Sequence, residues 1–474
     1  MDVMVNCMMH SSLYISNFSV DGDRRMRRVK IIIWLKRSIK IVVFFILCFW
    51  GVKLLNYGYV REDDWSRIML HHFYEDNGEI DNLYLGSSHV FFSLNPKILD
   101  NLTEQYNFNL SSSGQGLNGS YYLLKEANKK NNLSHVYLEL YYRVSVEGYY
   151  EATENKKYIW YNTDNMPLSV NKWCYAWSAG GAEGVLETWL PFVRYRTYLN
   201  DYNYITETIA NKEKKDFKEY RFMVDFADGN GEAEYRKQGY QYATRIFRNE
   251  DRIYVDDTIS KAPMCKKAQE YLQEIIKYCK KNDISITLFV SPMDNLQLIS
   301  TTNYDYYVEQ VREIAEEYQV DFYDFNLAKE EYLPIYEEQG FYDVGHLNAK
   351  GAEMFTPFFY QIVTGDKEKN KQFFYNSYSE KLLNMEPSVY GLCYTDSETS
   401  DDLLEQRCFS IASNRSQGME YRIIITPEDE KQYMLQDFNE NGQFSLPKEE
   451  HGTISVVSRM KNEPNDVNTL EVKY

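Results

Sequence analysis

Cysteine is scarce in this chain, seven among 474 residues, and the five beyond position 60 (Cys174, Cys265, Cys279, Cys393 and Cys408) are odd in number and scattered. No metal-ligand spacing appears among them, and a chain of this size does not call for a disulfide framework. Cys393 with Cys408 is the one pair worth testing as a bridge. Positive charge is missing from most of the chain as well. Residues 1–60 carry nine Lys or Arg against three Asp, so of the formal net charge of −18 the rest must hold −24. That balance argues against nucleic acid as a partner, because phosphate binding wants a basic face, and it suits a soluble domain in an ionic exterior. No small-residue cleavage site follows the main apolar run, which favours a retained anchor over a removed signal peptide.

The basic residues cluster at Arg24, Arg25, Arg27, Arg28, Lys30, Lys36, Arg37 and Lys40, ahead of an apolar run from Ile41 to Val52. Uninterrupted, that run falls short of the about 20 residues a membrane span needs. It continues past Lys53 through Leu54, Leu55, Tyr57 and Tyr59; a lysine near the end can snorkel, and Trp50, Tyr57 and Tyr59 suit a membrane interface. Ile39 to Tyr59 is therefore predicted to be a single transmembrane helix. The positive flank lies on its amino side, which places the N terminus in the cytoplasm and residues 61–474 outside the cell membrane. The first 25 residues show no pattern, and Met26 offers an alternative start to Met1. Residues 61–80, with His71 and His72, read as a charged, aromatic, helical stalk with both histidines at the surface.

The length predicts two or three folded units. Within 61–365, strand-like runs alternate with amphipathic helices. Asn82 onward is followed by a helix at Pro96–Leu102, a strand at Gln105–Leu110, a helix at Leu117–Lys130 and a strand at His135–Leu140. The rhythm resumes with a helix at Ala262–Lys281, a strand at Ile284–Val290, a helix at Tyr306–Tyr318, a strand at Val320–Asp324 and a last helix at Ala349–Val363. Such alternation implies an α/β fold with a parallel sheet and right-handed crossovers. Residues 144–261 interrupt it with an aromatic-rich insertion holding Trp160, Trp173, Trp177 and Trp189. It is too long for an ordinary loop, and it reads either as a lid shaping a substrate site, its rings stacking on sugars, or as a satellite core. From 366 to 474, runs such as Glu420–Thr426 and Thr453–Ser458 predict an antiparallel β-sandwich, either a carbohydrate- or partner-binding module or a passive accessory domain.

The first strand runs straight into Gly86-Ser87-Ser88-His89, and the late Asp343-Val344-Gly345-His346 is the only Asp-x-x-His in the chain. A small-residue turn between strand and helix is how an α/β fold presents a nucleophile at the carboxyl edge of its sheet. Physics alone does not choose between Ser87 and Ser88. Together these blocks resemble the SGNH/GDSL hydrolase superfamily, which implies a flavodoxin-like three-layer fold with Ser88 as nucleophile, His346 as base and Asp343 as its orienting carboxylate. Asn109-Leu110-Ser111-Ser112-Ser113-Gly114 is similar to the family's second block, and so implies Gly114 as an oxyanion donor. Two positions depart from the family pattern. Arg143 stands where the third block has an asparagine, and Ser87 replaces an aspartate. Arg143 either donates to the oxyanion, holds an anionic glycan or forms a structural salt bridge.

An anchored, exported member with Gly-Ser-Ser, Leu347-Asn348 after the histidine and an aromatic insertion resembles the surface-polymer acyl-transfer branch, which includes alginate O-acetylation and lipoteichoic acid D-alanylation proteins. That resemblance implies a membrane-bound O-acyltransferase as acyl-donor partner, Ser88 as carrier, a surface polysaccharide as acceptor and no cofactor or metal. The alternatives are an exported carbohydrate esterase that removes acetyl groups, and a non-catalytic, membrane-tethered glycan-binding protein.

Overall fold

Strands covered on both faces read as near-continuous apolar runs, and three such strands, with a short, more polar one at each edge, make a five-stranded sheet. A computed structural model describes residues 2–474 apart from 63–64, 77, 228, 256–263, 302, 398–404, 416 and 429. The five strands are Asn82–Leu85, Asn107–Asn109, His135–Glu139, Ser285–Val290 and Asp321–Asp324. All are parallel, in the order second, first, third, fourth, fifth. Doubly wound, flavodoxin-like sheets share this order.

Alternate residues of each strand face opposite ways. Leu83, Leu85, Val136, Leu138 and Leu288 join one apolar cluster with Leu123, Leu124, Leu272, Ile276 and Val311. Tyr84, Tyr137 and Phe289 join another with Leu99, Phe355 and Phe359. Helices Leu117–Lys130, Lys266–Lys281 and Tyr304–Glu317 thus cover one face, and Pro96–Thr103 and Ala349–Thr364 the other. Each fully buried Leu or Phe contributes roughly 2–3 kcal/mol of hydrophobic burial. Between the first and third strands the winding reverses, which opens a crevice at the carboxyl ends of the strands.

The chain divides into two compact units, Met1–Arg61 with Trp189–Glu213, and Glu62–Thr188 with Lys214–Tyr474. In the first, the helix Asp2–Tyr59 contains a stretch, Lys30–Tyr59, long and apolar enough to cross a membrane, its most apolar 18-residue window having a mean hydropathy of 2.1. The 3-10 segment Pro191–Tyr198 and the helix Tyr202–Glu213 pack against its carboxyl end. The insertion over 144–261 is therefore not a single lid. Its remainder belongs to the second unit, where Met166, Tyr175, Ala233 and Ala243 enter the main core while Trp177 stays 61% exposed.

Residues 61–80 are likewise no stalk. The helix Trp65–Glu75 buries Trp65, Met69, Leu70 and Phe73 in the main cluster, because its apolar side chains recur on one face. The two histidines are half-buried rather than free at the surface, His71 stacked on Tyr220 at 3.5 Å and His72 on Tyr235 at 5.0 Å.

The C-terminal strands, from Val389 to Lys473, build two four-stranded sheets whose facing side chains, among them Leu392, Phe409, Ile423 and Val456, form one cluster. All pairings are antiparallel except that of Ile253–Val255, which leaves the insertion to pair parallel with Val389–Ser397. The helix Tyr378–Asn384 belongs with the α/β core: Tyr378 enters its main cluster and Lys381 Nζ donates to the Asn326 carbonyl at 2.8 Å. Cys393 and Cys408 do not form a bridge. They lie on neighbouring strands, aligned with Ser410 and Thr395 rather than with each other.

Candidate active site

The first strand ends at Leu85, and Gly86 turns the chain with φ +152°. A Cβ at Gly86 would lie 2.6 Å from Glu139 Cβ and 2.7 Å from Val90 Cγ2, so only glycine fits between the third strand and the following helix. Ser87, extended, caps the helix Ser88–Ser93 by accepting from the His89 N–H. It is 1% exposed, and its N–H and Oγ both donate to Glu139 Oε2 at 3.1 Å. Ser88 is half-buried at the first helical position, and its Oγ lies 2.7 Å from His346 Nε2. The ambiguity between the two serines thus disappears in three dimensions, since one hydroxyl is committed to Glu139 and the other to His346.

His346 sits in a tight loop between Phe341 and Leu347, closed by the Tyr342 N–H donating to the His346 carbonyl at 2.8 Å. Asn348 ends the loop and starts the last helix, accepting from the Gly351 N–H while its amide donates to the Gln339 and Phe341 carbonyls. Asp294, fully buried and paired with Arg252 at 3.1 Å, donates its N–H to the Val344 carbonyl. Arg252 also donates to the Tyr390 carbonyl, which joins the loop's support to the first C-terminal strand.

His346 Nδ1 lies 2.8 Å from Asp343 Oδ1 and 3.0 Å from Oδ2. Oδ1 also accepts from the N–H groups of Gly345 and His346 at 2.8 and 2.9 Å. Desolvation in the loop pushes the Asp343 carboxyl up, but the neighbouring imidazole and these donors outweigh it and hold the group below the usual carboxylate value. An ionised carboxylate only accepts, so the Nδ1 facing it carries the proton and Nε2 is left to accept from Ser88. The two side chains are 21% and 41% exposed, so solvent reaches the pair. This chain of three groups can take a proton from Ser88 Oγ and hold it on an oriented imidazole.

Gly114 lies in the turn after the second strand and Arg143 in the 3-10 segment Tyr142–Val144 after the third, at the same sheet edge. Gly114 has φ +53°, and a Cβ there would meet the Tyr158 ring at 2.7 Å; its carbonyl accepts from the Tyr149 hydroxyl. The Arg143 guanidinium lies over the Tyr254 ring, 5.4 Å from its centroid.

Two further groups escaped the motif reading. Glu139, at the end of the third strand, is 2% exposed, and burial pushes its carboxyl up to about 7 against the opposing hydrogen bonds from Ser87. A carboxylate inside the otherwise apolar run His-Val-Tyr-Leu-Glu-Leu was the available signal. His89, also 2% exposed, packs its ring 4.0 Å from Tyr141 and 4.9 Å from His346. Burial, with His346 adding to it, holds His89 well below the usual histidine value, so it is neutral. Its only sequence signal was its place beside Ser88. Among the described residues, no group of three or more His, Cys, Asp or Glu side chains is placed to hold a metal ion.

No family model matches the chain, and no curated protein matches it. Among solved structures it is similar to a putative acylhydrolase from Bacteroides fragilis, at 9% identity over 63% of this chain and 96% of that one, with a TM-score of 0.28. It is also similar to a double mutant of the Cellulomonas fimi endo-β-1,4-mannanase, at 10% identity over 88% of this chain and 99% of that one, with a TM-score of 0.14. Likenesses this slight leave the functional argument to the geometry of the site.

Proposed function

We propose that the protein is an extracytoplasmic O-acyltransferase, transferring an acetyl group to a cell-surface polysaccharide through an acyl-serine intermediate. The observation that carries this reading is the hydrogen-bonded chain Ser88–His346–Asp343 at the crevice of the parallel sheet. The acyl donor is a membrane-bound O-acyltransferase in the same membrane, a partner that fits the helix Lys30–Tyr59 as a retained anchor with residues 61–474 outside.

In the first half-reaction, Ser88 Oγ gives its proton to His346 Nε2 and bonds to the acyl carbonyl carbon. The tetrahedral oxyanion is stabilised by the Ser88 N–H, which has no intrahelical partner at the first helical position, with the Gly114 N–H and the Arg143 guanidinium as further donors. Collapse breaks the bond to the leaving group, which takes the proton from His346. In the second half, His346 removes the proton of a sugar hydroxyl. The sugar oxygen attacks the acyl-serine, and Ser88 leaves as the free hydroxyl. Asp343 holds the imidazole's tautomer throughout.

The solvent exposure of His346 and Asp343 favours a second reading, an esterase in which water replaces the sugar. Loss of polymer acetate on deleting the gene supports transfer, and a gain supports hydrolysis. The founding test is fluorophosphonate labelling of the full-length protein with peptide mapping. One adduct on Ser88, retained in Ser87→Ala and absent in Ser88→Ala and His346→Ala, is expected. An adduct on Ser88 that persists in His346→Ala would overturn the assignment of the base.

A further inference from the structure

The segment Trp189–Glu213, part of the insertion that reads either as a lid over sugars or as a satellite core, is folded onto the carboxyl end of the apolar helix. The Phe192 N–H donates to Asn56 Oδ1 at 3.1 Å, the Tyr59 hydroxyl to the Leu199 carbonyl at 3.1 Å, and the Tyr204 hydroxyl to the Tyr59 carbonyl at 3.1 Å. The Tyr57 hydroxyl donates to Glu213, and Arg61 lies over the Tyr204 ring while pairing with Glu207 at 3.5 Å. Tyr198 stacks on Tyr204 at 4.2 Å. Backbone and side-chain groups from Phe192 to Glu213 are thus tied to positions 56–61.

Where those positions lie follows from length. Lys40 closes the basic cluster, and Val60 is twenty residues further along. At 1.5 Å per residue, twenty residues rise about 30 Å, the thickness of a bilayer's hydrocarbon core. With Lys40 among one set of head groups, residues 56–60 meet the other. At that level the segment presents Trp189 (65% exposed), Tyr198 (42%), Leu199 (47%) and Tyr202 (76%). From Trp189 to Tyr202 it also carries Arg194 and Arg196 against one acidic residue, Asp201. Amphipathic rings, an aliphatic side chain and arginines are what the head-group boundary of a bilayer retains.

We propose that Trp189–Tyr202 is a membrane-interface collar whose Trp189, Tyr198, Leu199 and Tyr202 side chains insert into the leaflet at the Tyr59 end of the helix. The occupant of this face is lipid. The proposal rests on the helix spanning the membrane and is independent of the chemistry at Ser88.

The test places the photocrosslinker p-benzoylphenylalanine singly at Trp189, Tyr202 and, as a reference within the span, Phe45 of the full chain in its native membranes. Adducts are identified by mass after irradiation and compared with unirradiated samples. Lipid adducts at all three positions are expected. Lipid at Phe45 with none at Trp189 and Tyr202, or with crosslinks there to a second protein, would overturn the collar and leave the span intact. Absence of lipid at Phe45 would remove the span and the collar with it.

Discussion

Two carboxylates stand at the carboxyl edge of the same sheet and are held in opposite ways. Asp343 meets two backbone N–H groups and the imidazole N–H, and stays ionised against its desolvation. Glu139 is sealed beneath the Gly86–Ser88 turn with the Ser87 N–H and hydroxyl, and its burial prevails, moving it to about 7. The charge of a carboxyl group is thus decided by the donors and charges that surround it. Asp343 gives His346 a constant tautomer, while Glu139 changes charge close to neutral pH, one residue from Ser88.

The comparison is tested most severely at Asp343. Asp343→Asn keeps the shape and removes the anion, so hydrolysis of an aryl acetate should fall on the order of 10³- to 10⁴-fold. A fall of less than about tenfold would show that the imidazole does not depend on this charge. Gly86→Ala tests the other side, since its Cβ cannot coexist with Glu139 where it now stands. It should destabilise the protein by about 2–3 kcal/mol in urea titrations and abolish fluorophosphonate labelling. Wild-type stability with intact labelling would mean that the turn tolerates displacement of Glu139.

The smallest effect is expected at Glu139 and lies in the pH dependence of stability. Its folded value, about 7, is above its ordinary value of 4.5, so the folded protein keeps a proton that the unfolded chain releases in between. Its contribution is whole below about pH 4.5 and is lost as the pH rises through about 7, at most roughly 3 kcal/mol in all. Asp343, with a lowered value, acts the other way, contributing above its ordinary 3.8 and losing that contribution as the pH falls through its depressed folded value. Glu139→Gln should therefore flatten the decline in urea midpoint between about pH 5 and about pH 8. An unchanged slope would place that proton elsewhere.

The five strands each fall inside a run readable from the sequence: the three inner ones are largely apolar, as a strand buried on both faces requires, and the edge strands Asn107–Asn109 and Asp321–Asp324 show as short runs between helix patterns. Asp343 was legible because it stands three positions before His346, close enough for both to share one loop. Glu139 was not, because a single acidic residue in a strand reads as facing solvent until the turn above it is in place. The helix Trp65–Glu75 was misread as a stalk because its charged and aromatic letters hide one apolar face, whose burial depends on partners far along the chain. The insertion was left between two readings, a lid and a satellite core, for a similar reason. Its aromatic content was plain, but nothing local distinguishes tyrosines that enter the core, such as Tyr175, from Tyr204 and Tyr198 folded onto the apolar helix.

By itself, the sequence determined the strand–helix frame, the apolar helix and the two short blocks that carry Ser88 and His346, since each follows from neighbours a few residues away. Only the tertiary structure decided that those blocks meet across 258 residues, that Ser88 rather than Ser87 faces the imidazole, and that Glu139 titrates near neutrality. Those outcomes depend on desolvation and on hydrogen-bond partners supplied by distant segments, which exist only once the chain has folded.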